Sequence, residues 1–73
     1  MANRLREVRF HKMMSVAELA RRSGISRATI HKLERGDMQH AYTTRTLAKL
    51  AHALDTPVAE IFDIEPGALE QEA

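Results

Sequence analysis

Aliphatic residues recur along this chain at the spacing of short amphipathic helices, with polar residues between them. The longest stripe has four members at i, i+3, i+4 and i+7: Leu47, Leu50, Ala51 and Leu54. It predicts a core-facing helix over residues 44–54. Leu5 and Val8, three residues apart, predict an earlier helix over residues 3–12, for which Asn3 is a candidate cap.

Cap residues predict where a second helix begins and ends. Ser15 is followed three residues later by Glu18, which matches a capping box, so a helix is expected to begin at Val16. Gly24 can adopt a left-handed backbone without steric cost and is expected to end this helix.

The helix after this glycine is predicted to carry cationic and apolar side chains on opposite faces. Ser26 is expected to cap it, and Gly36 to end it after residues 27–35. At about 100° per residue, Ile30 and Leu33 fall on one side. An arc of roughly 140° on the other side holds five residues: Arg27, Ala28, His31, Lys32 and Arg35. Such a helix suits the major groove of DNA, where Arg and Lys reach guanine acceptors and an alanine methyl contacts thymine.

A fifth helix is predicted near the end of the chain. Thr56 is its expected cap, Pro57 its first residue and Phe62 its approximate end. Ile61 is expected in the core. Three other apolar residues are candidates for a dimer interface: Val58, Phe62 and Ile64.

The stretch SVAELARRSGISRATIHKLERG, residues 15–36, has a distinctive spacing. A small residue, a turn glycine and two aliphatics follow Val16 by four, eight, fourteen and seventeen positions: Ala20, Gly24, Ile30 and Leu33. In these positions the chain resembles the Cro and λ-repressor-like helix-turn-helix family, also called XRE, over residues 4–62. The resemblance implies a compact all-α fold of five helices, with the helix-turn-helix at the second and third. It also implies a transcriptional regulator, chiefly a repressor, that binds double-stranded DNA as a homodimer.

The resemblance also suggests roles for individual residues. The family reads bases from the first, second and sixth positions of the recognition helix, which are Arg27, Ala28 and Lys32 here. Phosphate contacts are expected at the start of the second helix, along the cationic arc and in the following loop: Ser15, Val16, His31, Arg35, Gln39, His40 and Thr43. For Arg27 and Lys32, contact with phosphate alone is the alternative.

In the family, an arginine of the first helix pairs with a glutamate of the recognition helix, and the matching residues here are Arg9 and Glu34. Arg9 has two other interpretations, a solvated side chain or a phosphate contact. The same two apply to its neighbours: Arg4 and Arg6. The chain departs from the family pattern at Met13, where glycine is common, and at Val16, where a glutamine commonly reaches phosphate. The backbone N–H groups at this helix start are therefore the expected anion contacts.

Length and composition indicate one small domain. A chain of 73 residues builds a thin core, so marginal stability or dimerisation is expected. We predict the domain over residues 1–64 and an acidic, mobile tail over residues 65–73. No apolar run approaches the ~18 residues of a membrane span, and the charged N-terminus does not suit a secretory signal. A cytoplasmic location is therefore expected.

The net charge of +1 conceals an uneven distribution. Residues 1–36 hold nine Lys and Arg against three Asp and Glu, whereas residues 37–73 hold two against seven. The first half is therefore at +6 and the second at −5. A basic half that contains the predicted recognition helix favours an anionic partner approached from one side.

Two other kinds of regulator stay open as alternatives. An antitoxin of a toxin–antitoxin pair would bind its own promoter and also a toxin protein. A controller protein of a restriction–modification system would look similar. The neighbouring gene would distinguish them, and the nine residues from 65 to 73 are short for a tail that wraps a toxin.

An enzyme or a metalloprotein is not indicated. The four histidines, at positions 11, 31, 40 and 52, have no HxH or HxxxH partner, and the chain has no cysteine. No arrangement of a nucleophile and a base is visible. We therefore predict no catalytic residue, no metal and no cofactor.

Overall fold

The computed structural model describes residues 3–36 and 43–62, which form five α-helices. The helices are α1 (Leu5–His11), α2 (Val16–Ser23), α3 (Arg27–Glu34), α4 (Thr44–Ala53) and α5 (Val58–Ile61). The predicted all-α, five-helix architecture is therefore confirmed. The domain limit expected at residue 64 and the tail over residues 65–73 lie outside the described residues.

All five helices contribute to one hydrophobic core. Helix α4 packs against α2 and α5, while α3 packs against α2 and α1. The buried apolar side chains are Leu5, Leu19, Ile30, Leu33, Leu47, Leu50, Ala51, Leu54, Val58, Ile61 and Phe62. Each large aliphatic or aromatic group among them contributes about 1.5–3 kcal/mol by leaving water. The stripe predicted on α4 is thus the centre of the core.

Hydroxyl caps begin α2 and α3 and a left-handed glycine ends α2, as the sequence predicts, whereas α3 ends at Glu34, one residue earlier than predicted. The Ser15 hydroxyl accepts from the Glu18 N–H at 3.0 Å, and Gly24 ends α2 with φ of 76°. The Ser26 hydroxyl accepts from the Thr29 N–H at 3.2 Å. Because each cap satisfies an amide that lacks an intrahelical partner, the turn between the helices is fixed from both sides.

Asn3 links the start of α1 to the end of α3. Its Oδ1 accepts from the Leu5 N–H at 2.9 Å. The N-cap residue of α1 is Arg4 and not Asn3 as predicted, because the helix begins at Leu5 and not at residue 3. Its Nδ2 donates to the Leu33 carbonyl at 2.7 Å. One amide side chain therefore satisfies backbone groups of two helices.

Arg4 closes the fold by joining the N-terminal segment to α5. Its backbone N–H donates to the Ile61 carbonyl at 2.8 Å. Its Nε donates to the Glu60 carbonyl at 2.6 Å and its Nη2 to the Ala59 carbonyl at 3.3 Å. Carbonyls at the end of a short helix lack intrahelical donors. Arg4 therefore serves the fold, whereas the sequence suggested a solvated side chain or a phosphate contact.

The start of α5 differs from the prediction by one residue. The helix covers Val58–Ile61 and Pro57 occupies the N-cap position, outside the helix. Thr56 does not cap it, because its Oγ1 donates to the Leu54 carbonyl at 2.9 Å. The threonine thus helps to end α4 instead of starting α5.

The apolar residues expected to face a dimer partner belong to the core. Val58 is 9% exposed and Phe62 is fully buried. Phe62 follows the helix with an extended backbone, φ −116° and ψ 139°, which returns its ring to the interior. The prediction that these two residues are free for a partner is therefore wrong, and Ile64 lies outside the described residues.

Met13, in the turn after α1, has the left-handed φ of 56° and is 94% exposed. Left-handed backbone costs an L-residue about 1–2 kcal/mol, whereas a glycine there costs about 0.5–1 kcal/mol through entropy. We expect Met13→Gly to raise the free energy of unfolding by about 0.5–1 kcal/mol, because little packing is lost. Thermal unfolding measures this gain. Met13→Ala is the control, since its Cβ keeps the strain, and an unstabilised Met13→Gly would contradict the expectation.

Candidate nucleic-acid interface

Helix α3 is anchored by one face and leaves the opposite face in solvent. Ile30 and Leu33 are fully buried. Four of the five residues on the predicted cationic arc are exposed: Arg27, Ala28, His31 and Arg35. Lys32 is half-buried. The cationic surface is therefore fixed in direction by the burial of the aliphatic side chains behind it.

The start of α2 presents backbone donors next to this face. The Ser15 hydroxyl is used as the cap acceptor, and the Val16 side chain is half-buried against the core. The first amides of a helix precede its intrahelical hydrogen bonds. The N–H groups of Val16 and Ala17 therefore have no acceptor within the helix.

Of the residues predicted to contact phosphate from the loop after α3, only some lie in the described part of the chain. Gln39 and His40 lie outside the described residues. Thr43 is exposed and is the N-cap of α4, where its Oγ1 accepts from the Thr46 N–H at 3.2 Å. Its Oγ1 also lies 3.2 Å from Thr46 Oγ1, in a hydrogen bond that either hydroxyl can donate. Thr43 therefore serves as a cap of α4 at an exposed position.

The cations at the end of α2 are paired. Glu18 accepts from Arg21 Nη2 at 2.7 Å and from Arg22 Nε at 2.8 Å. The hydrogen bond from Arg21, followed by that from Arg22, lowers the pKa of Glu18. The carboxylate of the capping-box residue is therefore turned to the two arginines, and this pairing partly neutralises the positive charge at the end of α2.

The residues expected to form an ion pair, Arg9 and Glu34, lie together between α1 and α3. Arg9 Nε and Nη2 donate to the two Glu34 carboxylate oxygens at 2.7 and 3.0 Å, and Nη1 donates to the Met14 carbonyl at 2.9 Å. Both charged side chains are 8% exposed. Paired guanidinium and carboxylate forks give a strong, directional contact. The arginine is thus engaged at all three nitrogens.

The sequence argument missed a cleft of about 330 Å³ between α1 and α3. Its lining consists of Arg6, Arg9, His31, Glu34 and Arg35. Phe10, 56% exposed, stacks beneath two of these cations, with its ring centroid 4.6 Å from Arg9 Cζ and 5.3 Å from Arg6 Cζ. The i, i+4 spacing of Arg6 and Phe10 was the available signal, since side chains at this spacing meet on a helix.

Two short helices joined at a glycine, the second with a cationic face directed outward, define a helix-turn-helix domain. The family model of the Cro/C1-type HTH DNA-binding domain matches residues 4–67. The chain belongs to this family, and the resemblance drawn from residues 15–36 is confirmed. No curated protein matches the chain.

Two further findings concern the described residues alone. None of their helices is long and apolar enough to cross a membrane. Within residues 3–36 and 43–62, no three His, Asp or Glu side chains come together as potential metal ligands.

The buried ion pair leads to a stability prediction. We expect Glu34→Ala to lower the free energy of unfolding by about 1–3 kcal/mol without DNA present, because Arg9 is left buried and unpaired. Thermal or urea unfolding measures the change. Glu7→Gln, an exposed carboxylate on α1, is the control and should stay within about 0.5 kcal/mol of wild type. Equal stability of Glu34→Ala and wild type would show that the pair contributes nothing.

Proposed function

We propose that this DNA-binding domain is a sequence-specific regulator of transcription, acting chiefly as a repressor, and that α3 reads the major groove. One observation carries the proposal. The face of α3 opposite the buried Ile30 and Leu33 exposes Arg27, Ala28, His31 and Arg35. A B-DNA major groove about 12 Å wide admits one α-helix. A bound helix of this kind blocks a promoter by occupying it. The proposed role is therefore DNA binding without catalysis, by a protein located in the cytoplasm.

The three residues proposed to contact bases differ in the chemistry they offer. Arg27 stands at the first position of α3 and has the reach to grip guanine O6 and N7 together. Lys32, more than one turn later, reaches a second guanine. Ala28 is too short to hydrogen-bond and favours a thymine methyl. Each half-site is therefore proposed to contain guanine and thymine.

Phosphate contacts surround these three residues and fix the helix in its groove. The proposed contacts are Ser15, the N–H of Val16, His31, Arg35, Gln39, His40 and Thr43. Contacts to the backbone position a protein without reading sequence. They also release counterions, so affinity should fall steeply as salt rises.

Arg27→Ala separates base reading from phosphate binding. For a base contact, the best site should lose about 1–3 kcal/mol of binding free energy, and preference should relax at one position of each half-site. Titrations with specific and random duplexes at two salt concentrations measure this. Lys49→Ala, on the exposed side of α4, is the charge-matched control. Equal weakening on both duplexes with a salt slope smaller by about 1 would assign Arg27 to phosphate.

We further propose that the protein binds as a homodimer. A single α3 with three base-reading residues specifies only a few base pairs, and helix-turn-helix dimers extend the site by reading two half-sites about 34 Å apart. Because Val58 and Phe62 lie in the core, these two residues do not form the partner surface. Sedimentation of the DNA complex should give two protomers per site, and one protomer per site would refute the dimer.

An antitoxin or a restriction–modification controller would use the same face of α3. The Arg27 experiment therefore applies to all three kinds of regulator. They differ in their partners, since only an antitoxin also binds a toxin protein.

A further inference from the structure

We propose that the cleft between α1 and α3 is a proton-linked binding site for a phosphate of the DNA backbone. Arg6, His31 and Arg35 would hold the phosphate, and its binding would favour the protonated form of His31. This inference rests on the proposed function and adds to it a residue of α1 and a dependence of affinity on pH.

The charges around the cleft suit a single anion. Five side chains line its volume of about 330 Å³: Arg6, Arg9, His31, Glu34 and Arg35. Arg9 and Glu34 neutralise each other through their paired hydrogen bonds. The remaining charge comes from Arg6 and Arg35, which form no ion pair within residues 3–36 and 43–62. Among the described residues, the cleft thus has two arginines outside ion pairs and no unpaired carboxylate in its lining.

Phe10 accounts for the position of the arginine contributed by α1. Its ring lies 5.3 Å from Arg6 Cζ and 4.6 Å from Arg9 Cζ. A ring face attracts a guanidinium and offers it no competing hydrogen-bond acceptor. Arg6 is therefore held beside the cleft while its donors stay available, and the 56% exposure of Phe10 follows from this platform role.

The cleft lies where a DNA backbone would pass. His31 and Arg35 follow Arg27 by four and eight positions, so all three share the outward face of the α3 segment. When the start of α3 enters the major groove, the later turns of this face approach the groove wall. Arg6 then meets the same strand from α1.

Histidine is the side-chain type that most readily gains a proton near neutral pH when an anion binds beside it, and His31 is the histidine that lines the cleft. The groups that face it are Arg6 and Arg9 from α1, Arg27 and Glu34 from α3, and Arg35 at the C-cap of α3. Glu34 is already occupied by Arg9. An incoming phosphodiester would therefore be the anion that favours an imidazolium here, and by linkage a lower pH should strengthen DNA binding.

The first test compares DNA affinity at pH 7.5 and 5.5 in phosphate-free buffer of constant ionic strength. For one proton linked to binding, we expect wild type to bind about fivefold more tightly at pH 5.5. Because His40 is also a proposed phosphate contact, the comparison is made in a His40→Gln background, where His31→Gln should lose most of the remaining response. His52→Gln, an exposed histidine on α4, should keep it. A His31→Gln variant with the full response of this background would overturn the inference.

The second test compares two variants, each of which removes one positive charge near α1. Arg6→Gln should reduce the slope of log affinity against log salt by about 1. Lys12→Gln, exposed at the end of α1 and lining a different depression, should leave the slope unchanged. Equal slopes for Arg6→Gln and wild type would overturn the role of Arg6.

Unfolding curves for each variant confirm that exposed substitutions leave the fold intact. Wild-type protein that binds DNA with no pH response would contradict this inference alone. Wild-type protein that binds DNA at neither pH would contradict the proposed function as well.

Discussion

The bidentate contact between Arg9 and Glu34 holds the recognition helix in place. Helix α3 has eight residues, and isolated helices shorter than about 12 residues are marginal in water. Its stability and direction must come from packing, through Ile30 and Leu33, and from this pair, which joins it to α1. Because both side chains are 8% exposed, the pair resists screening by the salt that weakens contacts at the surface. The exposed side of α3 can therefore carry cations while the opposite side keeps the helix fixed.

The N-terminal segment stabilises the same arrangement by satisfying backbone groups. Asn3 bonds to the Leu33 carbonyl near the end of α3, and Arg4 bonds to three carbonyls of α5. The bond to the Leu33 carbonyl is half-buried, and a buried carbonyl without a donor costs about 1–3 kcal/mol. The two side-chain bonds of Arg4 are exposed and contribute less. Asn3 and Arg4 thus link α1, α3 and α5 by hydrogen bonds, in addition to the packing of the thin hydrophobic core. Arg4 and Arg9 serve the fold, which leaves Arg6 as the arginine near the start of the chain that remains available to a phosphate.

Local signals were sufficient to predict α2, α3 and α4, because caps, a turn glycine and regular aliphatic spacing are encoded by adjacent residues. The partners Arg9 and Glu34 came from family resemblance, since no local pattern joins positions 25 residues apart. The buried residues of α5 and Phe62 were harder to predict. A helix of four residues has too little periodicity to show which of its faces is buried. The extended backbone of Phe62 turns the ring into the core, whereas the sequence suggested a partner surface. The cleft beside Phe10 depends on how α1 lies against α3, which is a property of tertiary packing.

The most direct test of α3 as a reader of DNA sequence is a selection by the wild-type protein from a pool of random duplexes. A helix directed into the major groove by Ile30 and Leu33 should enrich one two-fold symmetric site with guanine and thymine in each half-site. Tight binding that enriches no sequence would contradict this role, because it would mean that the cationic face contacts only the phosphate backbone.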